Sequence, residues 1–281
     1  MQEALFGPRE IAKKDELPLA VAIPLYNEEQ ILMEKLEELS AVFNGLVGAG
    51  NWFFILVVNG CTDATPQIVE EAIARWPLSR HVDLVEPNYG AALRAGLIAV
   101  DVKWVFQIDI EQWEIPFIAW SWKNRDAFDV FCASKRGDPT INHQAPYRKL
   151  LSSGLNGVLQ LLFDYSGTDT HGGKLINCQT MRPIYQICTL DRGHFDTEMM
   201  LRAIRGQKRV VEVPVAYREY RPQRNWMFKK IIWNVLALRR LVRVMRDVPF
   251  EGPIRYYRFA REDVLADQQL EAGAPTELDL V

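Results

Sequence analysis

The chain has 281 residues, 48% hydrophobic and 25% charged, with a formal net charge of −3. That length supports one large domain, or one domain with an appendage, and the nearly balanced charge excludes a broadly basic, nucleic-acid-binding molecule. No apolar run approaches the roughly 18–20 residues that span a bilayer, and Met1 to Pro18 is charged throughout with no apolar signal stretch, so neither a spanning nor an exported protein is expected.

In chain order, Leu19–Ile23 reads as a strand, and Glu28 to about Phe43 as a helix with apolar residues at Ile31, Leu32, Leu36, Leu39 and Val42. Phe53–Val58 is a second strand. Thr65 as N-cap and Pro66 at the first helical position then start a helix through Trp76. Val82–Val85 is a third strand, Ala91–Val100 a helix and Trp104–Ile108 a fourth strand. Repeated β–α units of this length predict a parallel, doubly wound α/β sheet. Further on, Phe128–Ala133 reads as a strand, Tyr147–Phe163 and Phe195–Ile204 as helices, and Val210–Val213 as a strand. From about Ala266 the chain is polar and acidic, the composition of a disordered tail. Cys61, Cys132, Cys178 and Cys188 form no C-x-x-C pair and read as reduced, partly buried thiols of a cytosolic protein.

Parallel strands buried on both faces place ligands outside their carboxyl ends. The fourth strand ends in Asp109 and Glu111, spaced i, i+2, which an extended backbone sets on one side. Two hard oxygen donors there suit Mg²⁺ or Mn²⁺ against a diphosphate. At the end of the first strand, Pro24-Leu-Tyr-Asn-Glu28 offers Tyr26 to stack on a nucleobase and Glu28 to accept from a ribose or base N–H. Read alone, it is also a strand-to-helix turn with Asn27 as N-cap. Val57-Val-Asn-Gly-Cys-Thr-Asp-Ala-Thr65 ends the second strand, with Asn59 and Gly60 as a turn and Asp63 or Thr65 available to cap the next helix. His171 and His194 read as structural histidines or as metal ligands.

Together these segments resemble a family 2 glycosyltransferase of the GT-A fold, nearest in pattern to the polyprenyl-phosphate (dolichyl-phosphate) mannose and glucose synthases. The family's P-x-Y-N-E is matched by Pro24, Tyr26, Asn27 and Glu28, and its D-D-G-S-T-D-G-T by Val58-Asn-Gly-Cys-Thr-Asp-Ala-Thr65. Its N-x-G-x-A is matched by Asn88-Tyr-Gly-Ala-Ala92, its D-x-D by Asp109-Ile-Glu111, and its S-R and R-R elements by Ser134-Lys-Arg136 and Arg148. Asp169-Thr-His-Gly-Gly-Lys174 resembles D-T-x-x-G-x-K, and Phe195-Asp-Thr-Glu-Met-Met-Leu-Arg-Ala203 resembles F-D-x-E-L-L-x-R-A. The chain departs from the pattern at Val58, Asn59, Glu111 and Trp113, and is one residue short before Lys174.

The resemblance implies inverting, metal-dependent transfer from a nucleoside-diphosphate sugar to a polyprenyl phosphate. Pro24, Tyr26, Glu28, Val57, Asn59, Asp63 and Asn88 would bind the donor nucleotide. Asp109 and Glu111 would hold Mg²⁺ or Mn²⁺, and Lys135, Arg136, Arg148, Arg221 and Arg224 would hold phosphates. Asp196 and Glu198 open a helix, where acids suit the dipole. If the acceptor were a hydroxyl of a glycan or glycolipid, one of them would be the general base. A reading of another class is a catalytically weakened, membrane-associated nucleotide-sugar-binding protein, suggested by Val58, Asn59 and Glu111.

Residues 224–246 contain Lys229, Lys230, Arg239, Arg240, Arg243 and Arg246 and no acid, with Phe228, Ile231, Val235, Leu238, Val242 and Met245 as an apolar stripe. This is the composition of an in-plane helix on an anionic membrane, or of a helix packed on the domain with a solvated basic face. The expected organisation is an N-terminal extension over 1–17, a GT-A domain over 18–222, a basic membrane-surface helix over 223–247 and a C-terminal segment over 248–281. The protein is expected to be cytoplasmic and peripheral at the inner face of the membrane.

Overall fold

The computed structural model describes residues 19–138, 140–142, 146–192, 194–216 and 227–269. The elements are β1 (Leu19–Leu25), α1 (Leu32–Val47), β2 (Trp52–Asn59), α2 (Thr65–Arg75), β3 (Arg80–Leu84), α3 (Tyr89–Ile98), β4 (Trp104–Gln107), α4 (Ile115–Lys123) and β5 (Val130–Ser134). They continue with α5 (Pro146–Phe163), β6 (Lys174–Asn177), α6 (Cys178–Ile187), α7 (Phe195–Arg205), β7 (Val210–Pro214), α8 (Met227–Met245), β8 (Tyr256–Arg258) and α9 (Arg261–Gln269). The strands form one sheet in the order β3-β2-β1-β4-β6-β5-β7-β8. All neighbours are parallel except β6, which runs antiparallel to both β4 and β5.

Every residue of β2 and all but one of β1 are buried, because helices cover both faces of the sheet. Side chains of β1 alternate between the two cores. Ala20 and Ala22 join the cluster containing Leu93 and Leu97 of α3, whereas Val21 and Ile23 join Leu36, Phe43 and Phe106. Full burial of a side chain such as Phe54 or Phe106 stabilises the fold by about 1.5–3 kcal/mol. α5, α7 and the C-terminal part of α8 pack on the face that carries α3.

Several expectations are corrected. The first helix begins at Leu32 rather than Glu28, with Ile31 in the N-cap position. Asn27 instead adopts φ 57° and exchanges hydrogen bonds with Thr62, whose N–H reaches Asn27 Oδ1 at 2.8 Å. Thr65 lies inside α2 rather than capping it, because its hydroxyl accepts from the Glu28 N–H at 2.8 Å. The sheet also runs past residue 222: β8 pairs with β7, and α9 places Val264 in the core. Residues 266–269, expected in the tail, are helical. Of the expected stripe of α8, Met245 is in the core and Leu238 and Val242 pack against it; Leu241, outside that stripe, is also in the core, while Arg239, Arg240, Arg243 and Arg246 are exposed. Over these turns the helix is packed on the domain rather than offering an apolar face to lipid. Among the described residues no helix is long and apolar enough to cross a membrane, and all four cysteines are free thiols.

Candidate active site

The carboxyl ends of β1, β2, β4, β5 and β7 lie along one edge of the sheet. Antiparallel β6 starts at that same edge. A cleft of about 760 Å³ opens there. Its walls are Pro24 near the end of β1, Tyr26 and Glu28 after it, Asn59 at the end of β2, Tyr89 at the start of α3, and Ile108–Glu114 after β4. Phe117 and Ile118 of α4, Ala133 and Lys135, Asp169, His171, Gly172 and Gly173, and Val215 with Ala216 complete it. Pro24, Tyr26, Glu28, Asn59, Asp109, Glu111 and Lys135 therefore come together as the sequence suggested.

Asp109 and Glu111 reach the cleft from a turn rather than an extended strand. β4 stops at Gln107, and the Gln112 N–H closes back on the Asp109 carbonyl at 3.0 Å. The Tyr89 hydroxyl donates to Asp109 Oδ1 at 2.8 Å. Protein crowds Asp109 on every side but the cleft. That burial raises its pKa, and the Asp196 carboxylate pushes the same way against the Tyr89 hydrogen bond, Lys174 and Lys135. Burial likewise pushes the Tyr89 phenol well above its usual range, so it remains a donor. Two hard carboxylates fit Mg²⁺ or Mn²⁺. Among the described residues no three His, Cys, Asp or Glu side chains gather into a closed metal site.

Lys135 Nζ lies 3.8 Å from Asp169 Oδ2, and the His171 N–H donates to Asp169 Oδ1 at 3.0 Å. Burial alone would raise the Asp169 pKa; Lys135, His171 and Lys174 overcome it and hold the group ionised below its ordinary value. Gly172 follows because nothing larger fits: an added Cβ would lie 1.6 Å from the Ala133 carbonyl oxygen. Sequence reasoning cited the segment around Asp169 as a motif but missed Tyr89, Glu114 and Asp169 as cleft residues. Tyr89 stands at the variable position of the Asn-x-Gly segment, so the motif carries no signal for it.

Other expected residues lie elsewhere. Val57 is buried in the sheet against α3 and does not face the cleft. Asp63 braces a loop, accepting from the Glu29 N–H at 3.2 Å and the Thr65 N–H at 3.0 Å; despite the cost of burial, these bonds lower its pKa. Asn88 caps α3: its Oδ1 accepts from Ala91 and Arg192 N–H groups, and its own N–H donates to Asn59 Oδ1 at 2.7 Å. Gly90 is required beside it, since a Cβ would lie 2.7 Å from the Arg192 nitrogen. Arg136 turns toward α5 and donates to Ser153 at 2.8 Å. Arg221 and Arg224 lie outside the described residues, as does the side chain of Arg148.

Neither acid of α7 lines the cleft. Asp196, 2% exposed, pairs with the fully buried Lys174 at 3.1 Å and accepts from Gln107 at 3.5 Å. Lys174 stays charged, because Asp196 and its neighbours outweigh the desolvation that would lower its pKa. Glu198, 0% exposed, accepts from Thr189 and Leu190 N–H groups and pairs with Arg202 at 2.8 Å. His194 is half-buried, and burial together with His171 pushes its pKa down to about 4, leaving a neutral imidazole. Among the described residues it lines no part of the cleft; His171 does.

Residues 20–110 match the family model described as glycosyl transferase family 2. Over those residues the chain is similar to family 2 glycosyltransferases, and its fold is the GT-A fold. It is 25% identical over 218 residues to a dolichyl-phosphate β-glucosyltransferase of Trichomonas vaginalis, a match covering 73% of this chain and 65% of that protein. The chain thus spans a little under two thirds of that relative's length. In fold it is similar to glucosyl-3-phosphoglycerate synthase from Mycobacterium tuberculosis, solved with UDP, with a TM-score of 0.58 and 15% identity over 85% of this chain and 87% of that one. It is also similar to a mannosyltransferase from Pyrobaculum calidifontis, solved with GDP-mannose and Mn²⁺, with a TM-score of 0.52 and 17% identity over 95% of this chain and 74% of that one.

Proposed function

We propose that the protein transfers a sugar from a nucleoside-diphosphate donor to a polyprenyl (dolichyl-type) phosphate, with inversion and with a divalent cation. The observation that carries this reading is the pair Asp109 and Glu111 in a cleft that also presents Tyr26, Asn59 and Lys135. Tyr26, 46% exposed, is available to stack on a base at one end. Asp109 and Glu111 would hold Mg²⁺ or Mn²⁺, which neutralises charge on the departing diphosphate when bound. The fold neighbours solved with UDP or with GDP-mannose and Mn²⁺ are compatible with such a donor.

A phosphate acceptor is favoured by how the acids are placed. A hydroxyl acceptor needs a general base, yet Asp196 and Glu198 are buried in ion pairs. A lipid phosphate has a second pKa of about 6 and attacks unaided at neutral pH. Lys135 stands in the cleft for its charge, and Trp113, Phe117 and Val215 give an apolar wall for the first prenyl units. The dolichyl-phosphate β-glucosyltransferase relatives support the same acceptor. The exposed Arg239, Arg240, Arg243 and Arg246 of α8 supply a basic surface for anionic lipid at the cytoplasmic membrane face.

The test is transfer of labelled glucose from UDP-glucose, and of labelled mannose from GDP-mannose, to dolichyl phosphate with Mn²⁺. Label in the organic phase supports the reading. Label on a soluble glycan alone moves the acceptor to a hydroxyl, and no transfer with any donor favours the binding-protein reading.

A further inference from the structure

The geometry points to Tyr89 as a positioning residue that holds Asp109 as a one-oxygen ligand for the cleft cation. This inference rests on the cation reading proposed above. The Tyr89 hydroxyl donates to Asp109 Oδ1 at 2.8 Å, and it is the only hydrogen-bond donor to that carboxylate among the described residues. Asp109 stands in a turn, not a strand, so no ladder fixes its direction. Without the phenol, the carboxylate is free to rotate about its side-chain torsions. With it, Oδ1 is committed and Oδ2 is left for the cleft.

Tyr89 can do this because its own backbone is anchored from several sides. Asn88, immediately before it, donates to Asn59 Oδ1 at 2.7 Å and accepts from the Arg192 N–H at 2.8 Å. Gly90, immediately after it, lies against the Asp191–Arg192 backbone with no room for a Cβ. The first turn of α3 is thereby tied to the end of β2 and to the loop before α7, and the phenol carries that placement to the turn after β4. Hydrogen-bond partners behind metal-binding side chains are typically worth about 10–100-fold in metal affinity.

The experiment is a Mn²⁺ titration of the full chain with UDP present, read by the EPR signal of free Mn²⁺. It uses the wild type, Tyr89→Phe, Asp109→Asn and the double variant. Tyr89→Phe should weaken Mn²⁺ binding by about 10–100-fold. Because Tyr89 acts through Asp109, the double variant should bind no more weakly than Asp109→Asn alone. The thermal unfolding midpoint without Mn²⁺ should stay near that of the wild type in Tyr89→Phe, which separates a local effect from a lost fold. Wild-type Mn²⁺ affinity in Tyr89→Phe overturns the inference, as do losses that simply add in the double variant, and in either case the cation reading survives if Asp109→Asn is weakened. Absence of Mn²⁺ binding by the wild type sinks the cation reading itself and the role of Tyr89 with it.

Discussion

From β1 to β4 the polar residues stand where strands end, and they face the cleft: Tyr26, Glu28, Asn59, Asp109 and Glu111 all line it. From β5 to α9 many polar residues lie inside the molecule in pairs: Lys174 with Asp196, Glu198 with Arg202, and Glu212 with Thr168 and Tyr256. The first half supplies most of the polar groups that can meet a ligand, joined by Lys135, Asp169 and His171, and the buried pairs of the second half hold the floor beneath them. A buried ion pair adds little net stability over an apolar pair, but breaking one strands a charge. Substitutions in the two halves should therefore fail in different ways.

The largest expected effect is on activity. Asp109→Ala should lower sugar transfer by at least about 100-fold, the scale of losing one group that stabilises developing charge, while the thermal unfolding midpoint stays near that of the wild type. Turnover close to wild type would contradict the role of this carboxylate. Lys174→Ala should act on the fold instead. It leaves Asp196 buried without its partner, at a cost of about 3–5 kcal/mol, read as a lower denaturant midpoint at unchanged slope. A milder loss would mean that water reaches this pair.

Arg261→Ala probes the rim. Arg261 of α9 forks onto both oxygens of Glu114 at 2.9 and 3.0 Å, and Glu114 also accepts from the Ala216 N–H at 3.0 Å. Both partners are 18% exposed, so the loss should be about 1 kcal/mol, accompanied by a higher KM for acceptor than for donor. Equal changes in both would place the clamp outside the acceptor end. A further effect concerns pH. His194 has a pKa of about 4 against an ordinary 6.5, so the unfolded chain binds more protons between those values. Stability should rise with pH through that window, be complete above it, and fade as pH falls toward 4. His194→Gln should flatten the profile there, and an unchanged profile would assign the slope to other groups.

The first half was legible because its period is simple. Uninterrupted apolar runs at β1, β2 and β4, each followed by polar residues, describe strands covered on both faces with a ligand edge. The second half hid β6, whose Lys-Leu-Ile-Asn opens on a buried charge that pairs with Asp196, distant in sequence. α6 carries a readable signal in Asn177, which caps it by accepting from the Gln179 and Thr180 N–H groups. α4 carried another in Pro116, just inside its start. Asp196 and Glu198 were legible as the first turn of α7, yet whether they faced a ligand or a buried cation depended on Lys174 and on Arg202, one turn on. The same holds for Asn88, expected at the donor nucleotide and found as a brace between β2 and the loop before α7.

The most direct measurement is calorimetric titration of UDP and GDP into the wild type and Asp109→Ala, each with and without Mn²⁺. One of the two nucleotides should bind the wild type, more tightly with Mn²⁺ than without it, and the variant should lose the Mn²⁺-dependent part while keeping the metal-free part. Nucleotide binding that ignores Mn²⁺, or an Mn²⁺ effect that persists in Asp109→Ala, would contradict a cleft built around that carboxylate.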